Sequence, residues 1–169
     1  MRTKTPHLLK LLLLGTLTAL PMALSGCSGY TPLYSQAVTG NMSQIEVEAP
    51  QTRTGHFLEE DLRNGLGNDQ VSAKRYKLVI TMSERHYSIG YRVDDTSTRS
   101  EITSRVNYTL TDSTTGKKVL AAAFSETVTY DTSASPFTGV VSQQDAQERI
   151  ATAISQKLQT DLAIYFRAN

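Results

Sequence analysis

Cysteine is almost absent from this sequence: Cys27 is the only one among 169 residues, and tryptophan is missing altogether. A single thiol has no partner for an internal disulfide, and it excludes the paired-cysteine spacings of structural zinc sites. Histidine is scarce as well. His7, His56 and His86 stand apart, without cysteines or spaced carboxylates, so no metal and no cofactor are expected. No glycine-rich phosphate cradle occurs, and no serine or cysteine stands at a readable spacing from a base. Asp94-Asp95 falls in a Ser/Thr-rich stretch, where aspartate is ordinary turn chemistry. The chain therefore lacks catalytic residues in any recognisable set, and no enzymatic activity is expected. Charge of one sign is lacking too, with 17 basic against 16 acidic residues. That balance excludes the strongly basic profile of a nucleic-acid-binding domain.

Acidic residues are missing from the whole stretch before Glu46. That stretch holds Arg2, Lys4 and Lys10, then an apolar run from Leu8 to Leu24, then Leu24-Ser25-Gly26-Cys27. A basic start, a short apolar segment and small residues before a break describe a secretory signal. A membrane-spanning helix needs about 20 predominantly apolar residues, and this run contains Pro21 and several polar interruptions. Leu-Ser-Gly before the lone cysteine looks like a bacterial lipobox. In proteins carrying that motif the thiol takes a diacylglycerol, cleavage falls just before the cysteine, and the new amine is acylated. Residues 1–26 are thus expected to be removed and Cys27 to be the lipid attachment site. Several acyl chains together give stable anchoring where one is marginal.

Beyond the signal, 14 basic and 16 acidic groups remain, a net charge near −2. Residues 27–42 contain the turn formers Gly29, Pro32 and Gly40 and read as a lipidated tether. Residues 43–169 are enough for one domain with one core. Ile45-Glu46-Val47-Glu48 alternates as a half-buried strand does, and Pro50 ends it. Thr54 is placed to cap a helix that carries Leu58, Leu62 and Leu66 at a spacing of four. Tyr76, Leu78, Ile80 and Met82 share one face of a second strand. The apolar parity then switches to Tyr87, Ile89 and Tyr91, which predicts a bulge between Ser83 and His86. Ile102 to Leu110 and Leu120 to Tyr130 alternate as two more strands, joined by the hairpin Asp112-Ser113-Thr114-Thr115-Gly116. Ser142 and Asp145 resemble a capping box, and Ala146, Ile150, Ile154, Leu158, Leu162 and Phe166 follow at every fourth position. The predicted fold is α+β, a two-layer sandwich in the order β-α-β-β-β-α. Its four-stranded sheet is expected to be mainly antiparallel, with two helices on one face.

Between Lys74 and Lys118 lie nine basic and five acidic residues. If the strands form a meander, the hairpins near Tyr91–Ser100 and Thr114–Lys118 sit at opposite ends of the third strand. The cations would then form two patches at strand ends. Such patches either face solvent or bind an anionic partner.

Gly26-Cys27-Ser28-Gly29-Tyr30-Thr31-Pro32-Leu33-Tyr34 resembles the start of the lipopolysaccharide-assembly lipoproteins of the LptE type, as found in alphaproteobacteria. Ser28 is an insertion relative to the usual start of that family. The later order of elements is similar across nearly all of the remaining chain. The resemblance implies a non-enzymatic outer-membrane lipoprotein on the periplasmic side. It would plug and stabilise the wide β-barrel of the lipopolysaccharide translocon, an LptD-type protein, and bind lipopolysaccharide during its assembly into the outer leaflet. It also implies lipopolysaccharide-binding cations at strand ends and loops. Arg92 matches such a position best, followed by Lys117 and Lys118, although the family does not fix them residue by residue. The alternative is a structural envelope lipoprotein contacting another periplasmic complex or peptidoglycan.

Overall fold

The computed structural model describes residues 33–67, 73–91, 97–132 and 135–168. Cys27 and Arg92 lie outside them. In chain order the elements are α1 (Gln36–Met42), β1 (Ile45–Glu48), α2 (Arg53–Gly65), β2 (Tyr76–Tyr91), β3 (Ser97–Asp112), β4 (Lys117–Asp131) and α3 (Pro136–Ala168). The four strands form one sheet in the order β1-β2-β3-β4.

The α+β class holds, but the sheet is mixed rather than mainly antiparallel. β1 pairs with β2 in parallel, Ile45 opposite Tyr76, while β2–β3 and β3–β4 are antiparallel. The cause is α2, which carries the chain back so that β2 starts at the same end as β1. A parallel neighbour requires such a crossover, whereas the other strands are joined by hairpins.

The core is one apolar cluster between this sheet and the helices. Ala146, Ile150, Ile154, Leu158 and Leu162 of α3 are all fully buried, and Phe166 nearly so. Opposite them lie Leu78, Ile80, Ile102, Val106, Tyr108 and Leu110. Period-four residues on the helix meet period-two residues on the strands, as the sequence pattern requires. Leu58, Leu62 and Leu66 complete the cluster from α2 and the residue that caps it.

Four local expectations are corrected. The last seven residues of the expected tether form α1, whose Val38 and Met42 are buried in the core. The cap of α2 is Thr52, whose hydroxyl accepts from the Gly55 N–H at 3.1 Å, while Thr54 is buried inside the helix. Helix α3 begins at Pro136, well before Ser142. Proline suits the first turn of a helix, where its missing N–H would have no partner. The bulge between Ser83 and His86 is absent. The β2–β3 register runs unshifted from Tyr76 opposite Asp112 to Ile89 opposite Arg99. A shift occurs instead in β3–β4, between Leu110 and Thr111 beside the hairpin.

Candidate functional site

Among the described residues the three helices pack on one side of the sheet, and no element covers its other face. Alternation puts Ser83, Arg85 and Tyr87 of β2 on that open face. The register places Arg105 opposite Ser83, Thr103 opposite Arg85, and Ser125 of β4 opposite Arg105. These six residues line a recess of about 270 Å³. Its walls therefore come from three adjacent strands, which hold the side chains on a hydrogen-bonded frame.

Arg85 and Arg105 are both exposed, and among the described residues neither forms an ion pair or side-chain hydrogen bond. The nearest acid on the same face, Glu101, sits opposite Tyr87 and accepts a hydrogen bond from Thr103 Oγ1 at 3.1 Å. Two guanidinium groups beside three hydroxyl side chains and a tyrosine edge make a cationic, donor-rich surface. A guanidinium presents a planar fork that matches phosphate oxygens.

Other cations are neutralised. Lys77 Nζ lies 2.8 Å from Glu48, and this hydrogen bond and charge raise its pKa above the ordinary lysine value despite some loss of solvent. Arg99 pairs with Asp131 at 3.4 Å, and Arg149 with Asp145 at 2.8 Å. A second recess, of about 470 Å³, is lined by these same four groups with Thr129, Tyr130, Val141 and Ser142, and its charges balance.

The hairpin after β3 is built around Asp112. Its carboxylate accepts from the N–H groups of Thr114 and Thr115 at 2.8 and 3.0 Å, and it pairs with Arg75 at 3.3 Å. Burial by itself would raise its pKa, but the two N–H bonds and Arg75 outweigh that and hold the carboxyl below its usual range. Gly116 closes the turn at φ 68°, a left-handed conformation that glycine adopts without strain.

Of the expected cationic residues, Lys117 and Lys118 are exposed at the start of β4, opposite Asp112 and Thr111. The Tyr91–Ser97 pair marks the other end of the β2–β3 ladder, so the two hairpins do sit at opposite ends of β3. The recess lies between them, about 20 Å from each at ~3.3 Å per strand residue. Arg85 and Arg105 were part of the basic segment but not singled out. Their shared parity with Ser83, Tyr87 and Thr103 is the signal that marks them. Among the described residues no three His, Cys, Asp or Glu side chains converge as metal ligands. His56 is exposed on α2, and His86 lies 3.9 Å from Glu84.

The chain matches the family model described as LptE, lipopolysaccharide-assembly, over residues 42–162. No curated protein matches it. Among solved structures, a protein described as a lipoprotein from Caulobacter crescentus CB15 is 34% identical, with a TM-score of 0.67. The alignment covers 78% of this chain and 96% of that one. The rare lipoprotein B of Shewanella oneidensis shares the fold at 13% identity and a TM-score of 0.53, covering 71% of this chain and 92% of its own. The minor lipoprotein of Acinetobacter baumannii does so at 14% identity and 0.51, covering 71% and 88%.

Proposed function

Because the chain belongs to the LptE family of lipopolysaccharide assembly, we propose that it is an outer-membrane lipoprotein, anchored through Cys27 on the periplasmic side. In this role it plugs and stabilises an LptD-type β-barrel and binds lipopolysaccharide as it passes. The observation that supports lipopolysaccharide binding is the unpaired couple Arg85 and Arg105 on the open sheet face. A phosphate monoester carries about −1.5 to −2 charges at neutral pH, and two guanidinium forks on neighbouring strands complement it in charge and geometry. Ser83, Thr103 and Ser125 add hydroxyl donors around the same recess. Lys117 and Lys118 form a second exposed cationic spot at the hairpin, and Arg92 follows the end of β2. Lys117 and Lys118 extend the cationic surface toward that hairpin.

Two measurements test the proposal together. Copurification from membranes is expected to yield a stable complex with a large β-barrel protein. Replacing Arg85 and Arg105 with alanine is expected to leave that complex intact while weakening binding of purified lipopolysaccharide by the isolated chain. Unchanged lipopolysaccharide affinity in the folded variant would remove the recess from the proposal. Absence of any barrel partner would remove the translocon role. Cys27→Ala is expected to abolish fatty-acid incorporation, and normal labelling of that variant would refute the anchor.

A further inference from the structure

The outer edge of β4 is free: the sheet ends there, and among the described residues no element pairs with it. The direction of its backbone groups follows from one bond. The Thr132 N–H donates to the Thr98 carbonyl at 3.1 Å, so Thr98 and Thr132 are a hydrogen-bonded antiparallel pair. Such pairs alternate with non-bonded ones along the ladder. Even-numbered residues from Leu120 to Tyr130 therefore point their N–H and C=O groups at β3, and odd-numbered residues point theirs outward. The Thr129 carbonyl agrees with this assignment, since Arg149 of α3 reaches it from outside the sheet at 3.2 Å.

Edge strands are usually blunted by charge, proline, a bulge or a cover. Here the devices sit at the two ends. Lys117 and Lys118 guard the start, and Arg149 covers the Thr129 carbonyl. Between them, Ala121, Ala123, Ser125 and Thr127 are exposed and aim four N–H and four C=O groups outward. Their side chains are small and uncharged, and the one charge in this stretch, Glu126, points to the helix side and is half-buried.

We propose that residues Ala121–Thr127 are a strand-addition site, taking an extended segment of a second protein that brings no helix over its own edge. Alternating backbone donors and acceptors at strand spacing recognise another strand and nothing else so well. A second copy of this chain does not fit. α3 packs against the inner side of β4, and a two-fold pairing would put two such helices over strands about 4.8 Å apart. Packed helices need about 8–10 Å between axes. Lys117 and Lys118 favour an incoming strand that carries an acid where it passes them. The partner is sought in the outer membrane because of the function proposed above, whereas the free edge stands without it.

Hydrogen exchange read by mass spectrometry tests the site on the full chain. It compares the isolated protein with the protein extracted from native envelopes in mild detergent. Amides in the 121–127 segment are expected to exchange at least tenfold more slowly in the extracted complex. Equal rates would overturn the proposal, as would protection accompanied by cross-links between two differently tagged copies. Ser125→Pro removes an outward N–H without touching the ladder to β3, a place where an edge strand tolerates proline. Ala123→Lys blunts the same edge without altering the backbone. Each is expected to keep the native circular dichroism and lose the protection; a folded variant that retains it would count against the site. A barrel protein present without protection would overturn the edge and keep the translocon role. Protection without a barrel protein would do the reverse.

Discussion

The Tyr108 hydroxyl donates a 2.9 Å hydrogen bond to Asp161 Oδ2, tying the second half of β3 to the last turns of α3. Lys157 holds the other oxygen of the same carboxylate at 2.8 Å. The central strand and the longest helix are thus registered by polar contact as well as by apolar packing. Burial first, then the Asp161 hydrogen bond and its negative charge, push the Tyr108 pKa well above the ordinary tyrosine value. A raised pKa means that the folded state keeps a proton that the unfolded chain gives up. Stability from this group is full below the ordinary value near ~10 and falls as pH rises beyond it. Tyr108→Phe is expected to cost about 0.5–1.5 kcal/mol at neutral pH and to lessen the alkaline loss. Urea unfolding between neutral and alkaline pH measures both, and a variant as stable as the parent with the same alkaline limb would refute the role given to this bond.

Leu158 is 0% exposed at the centre of the α3 stripe. Leu158→Ala removes buried methyl groups and leaves a cavity, with an expected loss of about 2–5 kcal/mol. Ile164 on the opposite side of the same helix is half exposed, so Ile164→Ala is expected to cost far less. Equal melting temperatures for the two variants would contradict the packing described.

How much of this was readable in advance depended on whether a residue's periodicity continued. Ile150, Ile154, Leu158 and Leu162 repeat over many turns, so their helix and its buried face were legible. So were Tyr76, Leu78 and Ile80 with their period of two. The start of α3 was not, because Phe137, Val140 and Val141 are exposed and do not extend the buried stripe. Helix α1 offers only Val38 and Met42 at one helical spacing, too short a pattern to stand out from the turn formers around it. Tyr87 and Ile89 suggested a bulge only under the assumption that apolar residues must face the core. They lie on the open face, where Tyr87 is 46% exposed. Parity likewise joins Arg85 to Arg105, but which parity stays uncovered is decided by the helix layer. That is a tertiary fact with no local signal.

Asp112 is held below the ordinary carboxyl range by two backbone N–H groups and Arg75, against the opposing effect of burial. A depressed folded-state pKa gives stability that is present above the unfolded value near ~3.9 and lost as pH falls through the folded one. Asp112→Asn keeps an acceptor for the turn but removes the charge. It is expected to lower stability at neutral pH and to flatten the decline on acidification. Unfolding curves from neutral to acidic pH, compared with the parent, test this; identical pH dependence would show that Asp112 does not carry it.

Ser104 is completely buried on β3, flanked in register by Glu84 and Glu126, and its Oγ has no hydrogen-bond partner among the described residues. A buried hydroxyl without a partner bears a desolvation cost of about 1–3 kcal/mol. Ser104→Ala relieves that cost while losing almost no volume, so it is expected to leave stability unchanged or raise it slightly. Thermal unfolding checks the sign, and a clear loss would mean that the hydroxyl is satisfied.

The two cationic places differ in side-chain type, and that difference decides which should dominate anion binding. Arg85 and Arg105 project from neighbouring strands in the middle of the sheet, where the ladder fixes their Cα positions. Lys117 and Lys118 are also in the ladder, opposite Asp112 and Thr111, but a lysine is a point charge on a flexible stem, with more freedom to lose for each contact formed. Both pairs are exposed, so salt screens both. Charge reversal of Arg85 and Arg105 to glutamate is expected to weaken lipopolysaccharide binding at least tenfold at low salt. It is also expected to flatten the dependence on salt, because the phosphate contacts that salt competes with are gone. Reversal of Lys117 and Lys118 is expected to produce a smaller loss and to leave most of the salt dependence in place. Titrations of both variants over a salt series, with circular dichroism to verify folding, give the comparison. A larger effect from the lysine pair would move the main site to the hairpin. No effect from either would remove both from the binding surface.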